Sequence, residues 1–253
     1  MNNFVRSIVM MALFCGYGNA QSSQNALKVL FIGNSYTSAN DLPNVFSALA
    51  RSGGHTVEVD AVAPGGMTLR GHVSNSATIS MINLRKWDFV VLQEQSVVPT
   101  IDASRDRGMY PAIRHFDGLL RGRGSKCVLF MTWGRRDGLA AARSKDYGEM
   151  QDKLEQSYMT IADELHMRVV PVGAAWRLAH ASGKNLVLWQ GDGSHPTVQG
   201  TYLAACVFYS TLFRESPENL SFTNNLTKDT ARQLQCAAGR TVLNDPDHWH
   251  IPQ

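Results

Sequence analysis

The chain of 253 residues is 44% hydrophobic and 18% charged, with a formal net charge of +3. This composition excludes a disordered or fibrous protein and fits one domain with a large core. A balance so near neutral, without a long basic run, argues against nucleic acid or an anionic membrane as the partner.

At the N-terminus Arg6 precedes the apolar segment SIVMMALFCGY, and Gly18-Asn19-Ala20 supplies a small-residue site. Met1 to Ala20 therefore has the pattern of a secretory signal peptide, with cleavage expected after Ala20. The segment is short for a membrane span, and no later stretch reaches the roughly 18 apolar residues that stable insertion requires. Cys15 follows bulky Phe14, a poor fit to lipoprotein processing. Residues 21–253 are expected to be one domain, exported to the periplasm or secreted.

Leu27, Val29, Leu30, Phe31 and Ile32 form an apolar run that stops at Gly33-Asn34-Ser35, which reads as a buried strand entering a tight turn. A serine there stands at the carboxyl end of a strand, where open α/β sheets gather ligands. Ser38 to Asp41 is a candidate cap for a helix with Pro43 in its first turn, and Gly53-Gly54 ends it. HTVEVDAVA reads as a second strand running into Pro64-Gly65-Gly66, followed by a polar helical segment. WDFVVLQEQS holds a third strand, Phe89 to Leu92, that continues into Gln93-Glu94-Gln95. A helix over roughly Gly108 to Leu120 leads to a fourth strand, KCVLFMTW, and then to Gly134-Arg135-Arg136. Met150, Leu154, Tyr158, Ile161 and Leu165 share one side of a helix over about 146–165, and MRVVPVG reads as the fifth strand. Helices near Thr197 to Phe213 and Lys228 to Val242 close the chain, and the tail DPDHWHIPQ reads as loose. Strands alternating with helices imply right-handed crossovers and a doubly wound, mainly parallel sheet of about five strands.

The chemistry concentrates at two places. GDGSHPT, residues 191 to 197, sets Asp192 three residues before His195 in a glycine-containing loop. At that spacing the carboxylate can fold back onto Nδ1 of the imidazole, leaving Nε2 free to act as a base. With Ser35 as nucleophile this supplies a complete triad.

GNSYT early and DGSHPT late, in a five-strand α/β chain, resemble the SGNH (GDSL-type) hydrolase superfamily. The resemblance runs from Leu27 to about Phe213. It implies a flavodoxin-like three-layer fold and a serine hydrolase acting on esters through Ser35, His195 and Asp192. Two departures mark a divergent branch: Asn34 stands where the superfamily's GDS block has aspartate, and Gln93-Glu94-Gln95 replaces the asparagine of its third block. Some carbohydrate-esterase branches resemble this chain in using a glutamine there, which gives the oxyanion role to Gln93, with Gln95 as its substitute. Gly66 is the expected second-block donor beside the N–H of Ser35.

Asn34, Gln95, Trp133, Arg135 and Trp189 are further candidates for the substrate side. An indole could stack on a sugar or acyl group, and a guanidinium could bind a carboxylate. His248 and His250 lack a supporting cysteine or acidic cluster beyond Asp245 and Asp247, so no metal or cofactor is expected. His55, His72, His115, His166 and His180 read as structural or solvent-facing. Cys127 reads as a buried thiol, whereas Cys206 and Cys236 fall on the two late helices and could pair after export if their Cα atoms come within about 4.4–6.8 Å. The expected function is an exported serine esterase acting on small or glycan acyl esters, with acetyl on carbohydrate foremost. Acyl transfer, a lipase or thioesterase with the same triad, and a non-catalytic carbohydrate-binding module stay open. An ordinary α/β-hydrolase fits less well, because the chain has no GxSxG elbow and its acid directly precedes the histidine.

Overall fold

Five short strands make the sheet: β1 (Leu27–Ile32), β2 (Val57–Val62), β3 (Phe89–Leu92), β4 (Lys126–Phe130) and β5 (Arg168–Val170), apolar runs except for β2, where Glu58 and Asp60 alternate with valine and alanine. The computed structural model describes residues 26–183 and 185–252, so the signal-peptide pattern lies outside the described residues. All four neighbouring pairs are parallel, in the order β2-β1-β3-β4-β5. Central β1 and β3 are almost continuously apolar because helices cover both faces of the sheet.

From β1 the chain winds first toward β2, then crosses back to β3 on the other side of β1. Right-handed crossovers in opposite directions put helices on opposite faces and open a crevice beyond the carboxyl ends of β1 and β3. Ile32 and Leu92, the last residues of those strands, are register partners. Whatever follows each of them therefore meets in that crevice: Gly33-Asn34-Ser35 from one strand and Gln93-Glu94-Gln95 from the other.

On one face the helix Leu42–Ser52 packs against Val198–Phe213, which also carries Lys228–Leu243 and Val172–Ala181. Phe31, Phe46 and Phe208 lock this layer to the sheet with ring centroids 5.2–6.3 Å apart. Tyr110–Arg121 packs against β4 and Ser76–Leu84 against β2. The 19-residue helix Tyr147–Leu165 is started by Asp146, whose side chain accepts the N–H of Glu149.

The helix expected after a Ser38–Asp41 cap begins at Leu42, with Asp41 at its N-cap position and Pro43 in its first turn, and the left-handed Asn40 and Asp41 (φ 51° and 56°) set it apart from the helical turn Ser35–Ser38. Other local expectations need correction. Pro171 ends β5 at Val170 and starts the helix Val172–Ala181, which the reading of MRVVPVG as one strand misses. The tail is held. Trp249 and Ile251 are buried, Val169 N–H donates to the Trp249 carbonyl (3.0 Å), and the Trp249 indole donates to the Thr241 carbonyl (2.9 Å). Cys127, Cys206 and Cys236 are all free thiols, so the Cys206–Cys236 disulfide is not formed.

Candidate active site

The nucleophile block is shaped by what Gly33 lacks. A Cβ on Gly33 would lie 2.5 Å from Gln93 Oε1 and 2.6 Å from Thr37 Oγ1, so only glycine lets the end of β3 close over this turn. Asn34 then caps the helical turn, its Oδ1 accepting the Tyr36 N–H (3.1 Å). Ser35 opens that turn and is half-buried, with its N–H lacking an acceptor among the described residues. Underneath, buried His72 donates from Nε2 to the Gly33 carbonyl (2.7 Å) and accepts the Thr78 hydroxyl at Nδ1 (2.7 Å). Burial lowers the pKa of His72, which favours this neutral form.

The structure brings Ser35, His195 and Asp192 into one line. Ser35 Oγ lies 2.9 Å from His195 Nε2, and His195 Nδ1 lies 2.5 Å from Asp192 Oδ2. A carboxylate can only accept, so His195 carries its proton on Nδ1 and takes the serine hydroxyl proton on Nε2. Asp192 Oδ1 also accepts the N–H groups of Ser194 (2.9 Å) and His195 (3.0 Å). These bonds, the imidazole bond foremost, outweigh partial burial and hold its pKa down at about 2.

The loop bearing the histidine is closed on itself. Gln190 N–H donates to the His195 carbonyl (2.8 Å), Thr197 N–H to the Leu188 carbonyl (2.9 Å), and Gly193 turns the loop at φ 65°. Aromatic residues grip it from below. Trp133 is fully buried, its indole donates to the Ser194 carbonyl (3.0 Å), and it is stacked between Tyr36 (4.6 Å) and Trp176 (4.0 Å). The Tyr36 hydroxyl meets Ser194 Oγ at 2.7 Å, and the Tyr36 ring meets the His195 imidazole edge-on at 5.6 Å. Buried Trp189 donates to the Gly134 carbonyl (3.0 Å). Neither indole is exposed to stack on a sugar, so both are corrected from substrate platforms to supports of the His195 loop.

Opposite this loop, the third-strand block is polar and buried. Gln93 Oε1 accepts the Asn34 N–H (2.8 Å) and the Thr37 hydroxyl (3.0 Å), while its Nε2 donates to Asn34 Oδ1 (3.1 Å) and the Glu94 carbonyl (2.6 Å). Both amide hydrogens are thereby used inside the protein. Gln93 orients Asn34, which in turn donates from Nδ2 to the Met67 carbonyl (2.9 Å) and holds the Pro64–Met67 turn beside Ser35. In that turn Gly66 has φ 70°, and its N–H has no acceptor among the described residues.

Gln95 is half-buried and differently disposed. Its Oε1 accepts the Val97 N–H (2.8 Å), fixing the side chain, while its Nε2 has no acceptor among the described residues. Between the two glutamines, fully buried Glu94 accepts the N–H groups of Leu69 (3.1 Å) and Gln95 (2.6 Å) on Oε1. Its Oε2 has no hydrogen-bond partner among the described residues, and burial pushes its pKa up to about 7 despite those two bonds. The sequence assigned no role to Tyr36, Glu94 or Ser194, and of the structural or solvent-facing reading of His72 the structural half holds. Only the adjacency of Tyr36 to Ser35 and of Ser194 to His195 signalled the two hydroxyls.

Arg135, on the loop after β4, is half-buried beside this group. Its backbone N–H meets Met150 Sδ at 3.3 Å. The next residue is joined to the His195 loop, as Arg136 N–H donates to the Gly193 carbonyl (2.9 Å). A cavity of about 340 Å³ lies elsewhere, at the amino ends of β4 and β5, lined by Lys126, Cys127 and Arg168 among others. No cluster of three or more His, Cys, Asp or Glu side chains suited to a metal occurs among the described residues, and His250 pairs with Asp163 (3.0 Å). None of the helices among the described residues is long and apolar enough to cross a membrane.

No protein-family model matches the chain, and no curated protein resembles it in sequence. Solved structures do. A DUF4886 family protein from Bacteroides uniformis is 19% identical, with a TM-score of 0.76 over 88% of this chain and 96% of that one. A putative SGNH hydrolase from Slackia heliotrinireducens is 27% identical, with a TM-score of 0.63 over 74% of this chain and all of that one. An acetylxylan esterase from Geobacillus stearothermophilus is 17% identical, with a TM-score of 0.55 over 72% of this chain and 92% of that one. The resemblance carried by GNSYT and DGSHPT thus extends to the three-dimensional fold.

Proposed function

We propose that this chain, which has the fold of the SGNH hydrolases, is an exported serine esterase that removes acyl groups, acetyl foremost, from carbohydrate. The observation that carries the reading is the unbroken line from Ser35 Oγ through His195 to Asp192, at 2.9 and 2.5 Å. Histidine Nε2 takes the Ser35 proton as Oγ attacks the ester carbonyl carbon. The tetrahedral intermediate collapses, the carbon–oxygen bond to the sugar breaks, and the leaving oxygen takes the proton back from Nε2. Water then repeats the sequence on acyl-Ser35, releasing the acid and the free enzyme. Asp192 stays ionised throughout and stabilises the imidazolium.

Charge that builds on the carbonyl oxygen needs donors already in place. The unengaged N–H groups of Ser35 and Gly66 and the unengaged Nε2 of Gln95 support a three-donor cradle. The filled hydrogen bonds of Gln93 favour Gln95 over it in this role. The pattern of Met1 to Ala20 supports export, and the likeness in fold to an acetylxylan esterase supports an acetylated glycan.

The test is hydrolysis of short-chain aryl esters and acetylated oligosaccharides by wild type and Ser35→Ala. The wild type is expected to cleave at least one of them, and the variant to lose roughly four to six orders of magnitude in kcat. Equal rates in the two proteins would sink the nucleophile assignment.

A further inference from the structure

Arg135 stands at the edge of the sheet that carries Ser35. Among the described residues its buried Nε has no hydrogen-bond partner, and no carboxylate pairs with its guanidinium. Other arginines nearby are matched: Arg136 with Asp137, and Arg105 with Asp102 and Asp106. Only Nε is shut off from water; the terminal nitrogens have no bonding partner among the described residues and stay open to an anion. Its position relative to the chemistry is set by the Arg136–Gly193 bond and by Tyr36. Burial raises the pKa of the Tyr36 hydroxyl, and the nearby charge of Arg135 acts against that rise.

A second observation points the same way. A cleft of about 600 Å³ lies between the loops that follow β3 and β4, both leaving the edge that bears Ser35. Its lining is mainly polar and sets Arg105, Arg143 and Lys153 against the single carboxylate of Asp102, which Arg105 already engages. Among the described residues the exposed Arg143 has no carboxylate partner, and Lys153 donates to the carbonyls of Ala142 and Arg143 alone. The excess positive charge therefore faces solvent in a space wide enough for sugar rings.

We propose that the ester substrate is an acidic glycan, with a carboxylate-bearing sugar engaged by Arg135 beside the scissile ester and further acidic residues held along the Arg143–Lys153 cleft. A carboxylate would complete the guanidinium through paired charge-assisted hydrogen bonds, which a neutral sugar cannot. This inference rests on the esterase reading and names its substrate class.

The experiment compares kcat/KM on acetylated oligogalacturonate, acetylated xylo-oligosaccharide and a neutral aryl acetate, for wild type, Arg135→Gln and Arg143→Gln. Wild type is expected to favour the acidic over the neutral glycan by roughly 10–100-fold, the range a charge-assisted bond supplies. That ratio should collapse toward unity in Arg135→Gln, chiefly through KM, and fall by about threefold in Arg143→Gln, where the side chain is exposed. It should also shrink as salt is raised from about 0.05 to 0.5 M. Ser35-dependent cleavage of the aryl ester with no preference for the acidic glycan would overturn this inference and leave the esterase reading standing. A preference that survives both substitutions would overturn the role of these residues. Absence of any Ser35-dependent cleavage would overturn both readings together.

Discussion

Ser35 is flanked by two supports made of different materials. On the His195 side, stacked rings do the positioning: Tyr36, Trp133 and Trp176 lie nearly parallel, and the first two each reach one atom of Ser194. On the third-strand side, Gln93, Glu94 and Asn34 form a buried polar network in which almost every donor and acceptor is matched. Stacked rings hold a loop by area and shape, so their grip is insensitive to pH. A buried network holds by complementarity, and Glu94 Oε2, unmatched among the described residues, makes it sensitive to protonation. The difference teaches that substitutions on the two sides should fail in different ways.

The largest effect should come from the part both supports serve. Asp192→Asn would offer its amide where His195 needs an acceptor, and kcat should fall by roughly 10³–10⁴ with KM little changed. Steady-state kinetics on an aryl acetate measure this, and a loss below tenfold would remove Asp192 from the mechanism. Next, Gln95→Ala should cost about 10²–10³ in kcat as one oxyanion donor is lost. Gln93→Leu should instead act mainly on folding, lowering stability by on the order of 2–3 kcal/mol because buried partners in Asn34 and Thr37 lose their bonds. Urea unfolding of both variants separates these outcomes. If Gln93→Leu alone shows the catalytic loss with full stability, the roles of the two glutamines are reversed.

The pH behaviour should follow the polar side. The Glu94 carboxyl is pushed from its ordinary 4.5 to about 7 in the native chain. Between those values the folded protein keeps a proton that the unfolded chain has released, so this contribution favours folding at the acid end and is lost as pH rises toward 7. The expected loss is on the order of 3 kcal/mol across that window. Glu94→Gln should remove it and flatten the dependence of unfolding free energy on pH from 5 to 8, and parallel curves would contradict the assignment. Smallest of all, Trp133→Phe keeps the stack but removes the indole bond to the Ser194 carbonyl, and should lower kcat by about tenfold with no change in pH profile.

Much of this architecture was legible in the residues. The apolar run ending at Gly33-Asn34-Ser35 and the Asp192–His195 spacing were readable because strands and short loops leave periodic or fixed-distance signatures. Direction was not. Gln93 and Gln95 both end the third strand, and which of them turns inward depends on Gly33 leaving room for Gln93, a contact 60 residues away in sequence. Trp133 and Trp189 had the same ambiguity, since an indole after a strand reads alike whether it roofs a cleft or underpins a loop. The buried tail was illegible for a related reason: Trp249 is held by β5 and the last helix, and nothing local announces those partners.

The most direct test of the central claim is labelling of the protein with a serine-directed aryl phosphonate, read by intact mass and peptide mapping. The account predicts a single adduct on the Ser35 peptide, abolished in Ser35→Ala and strongly slowed in Asp192→Asn. An adduct on another residue, or equal labelling of Ser35→Ala, would contradict it.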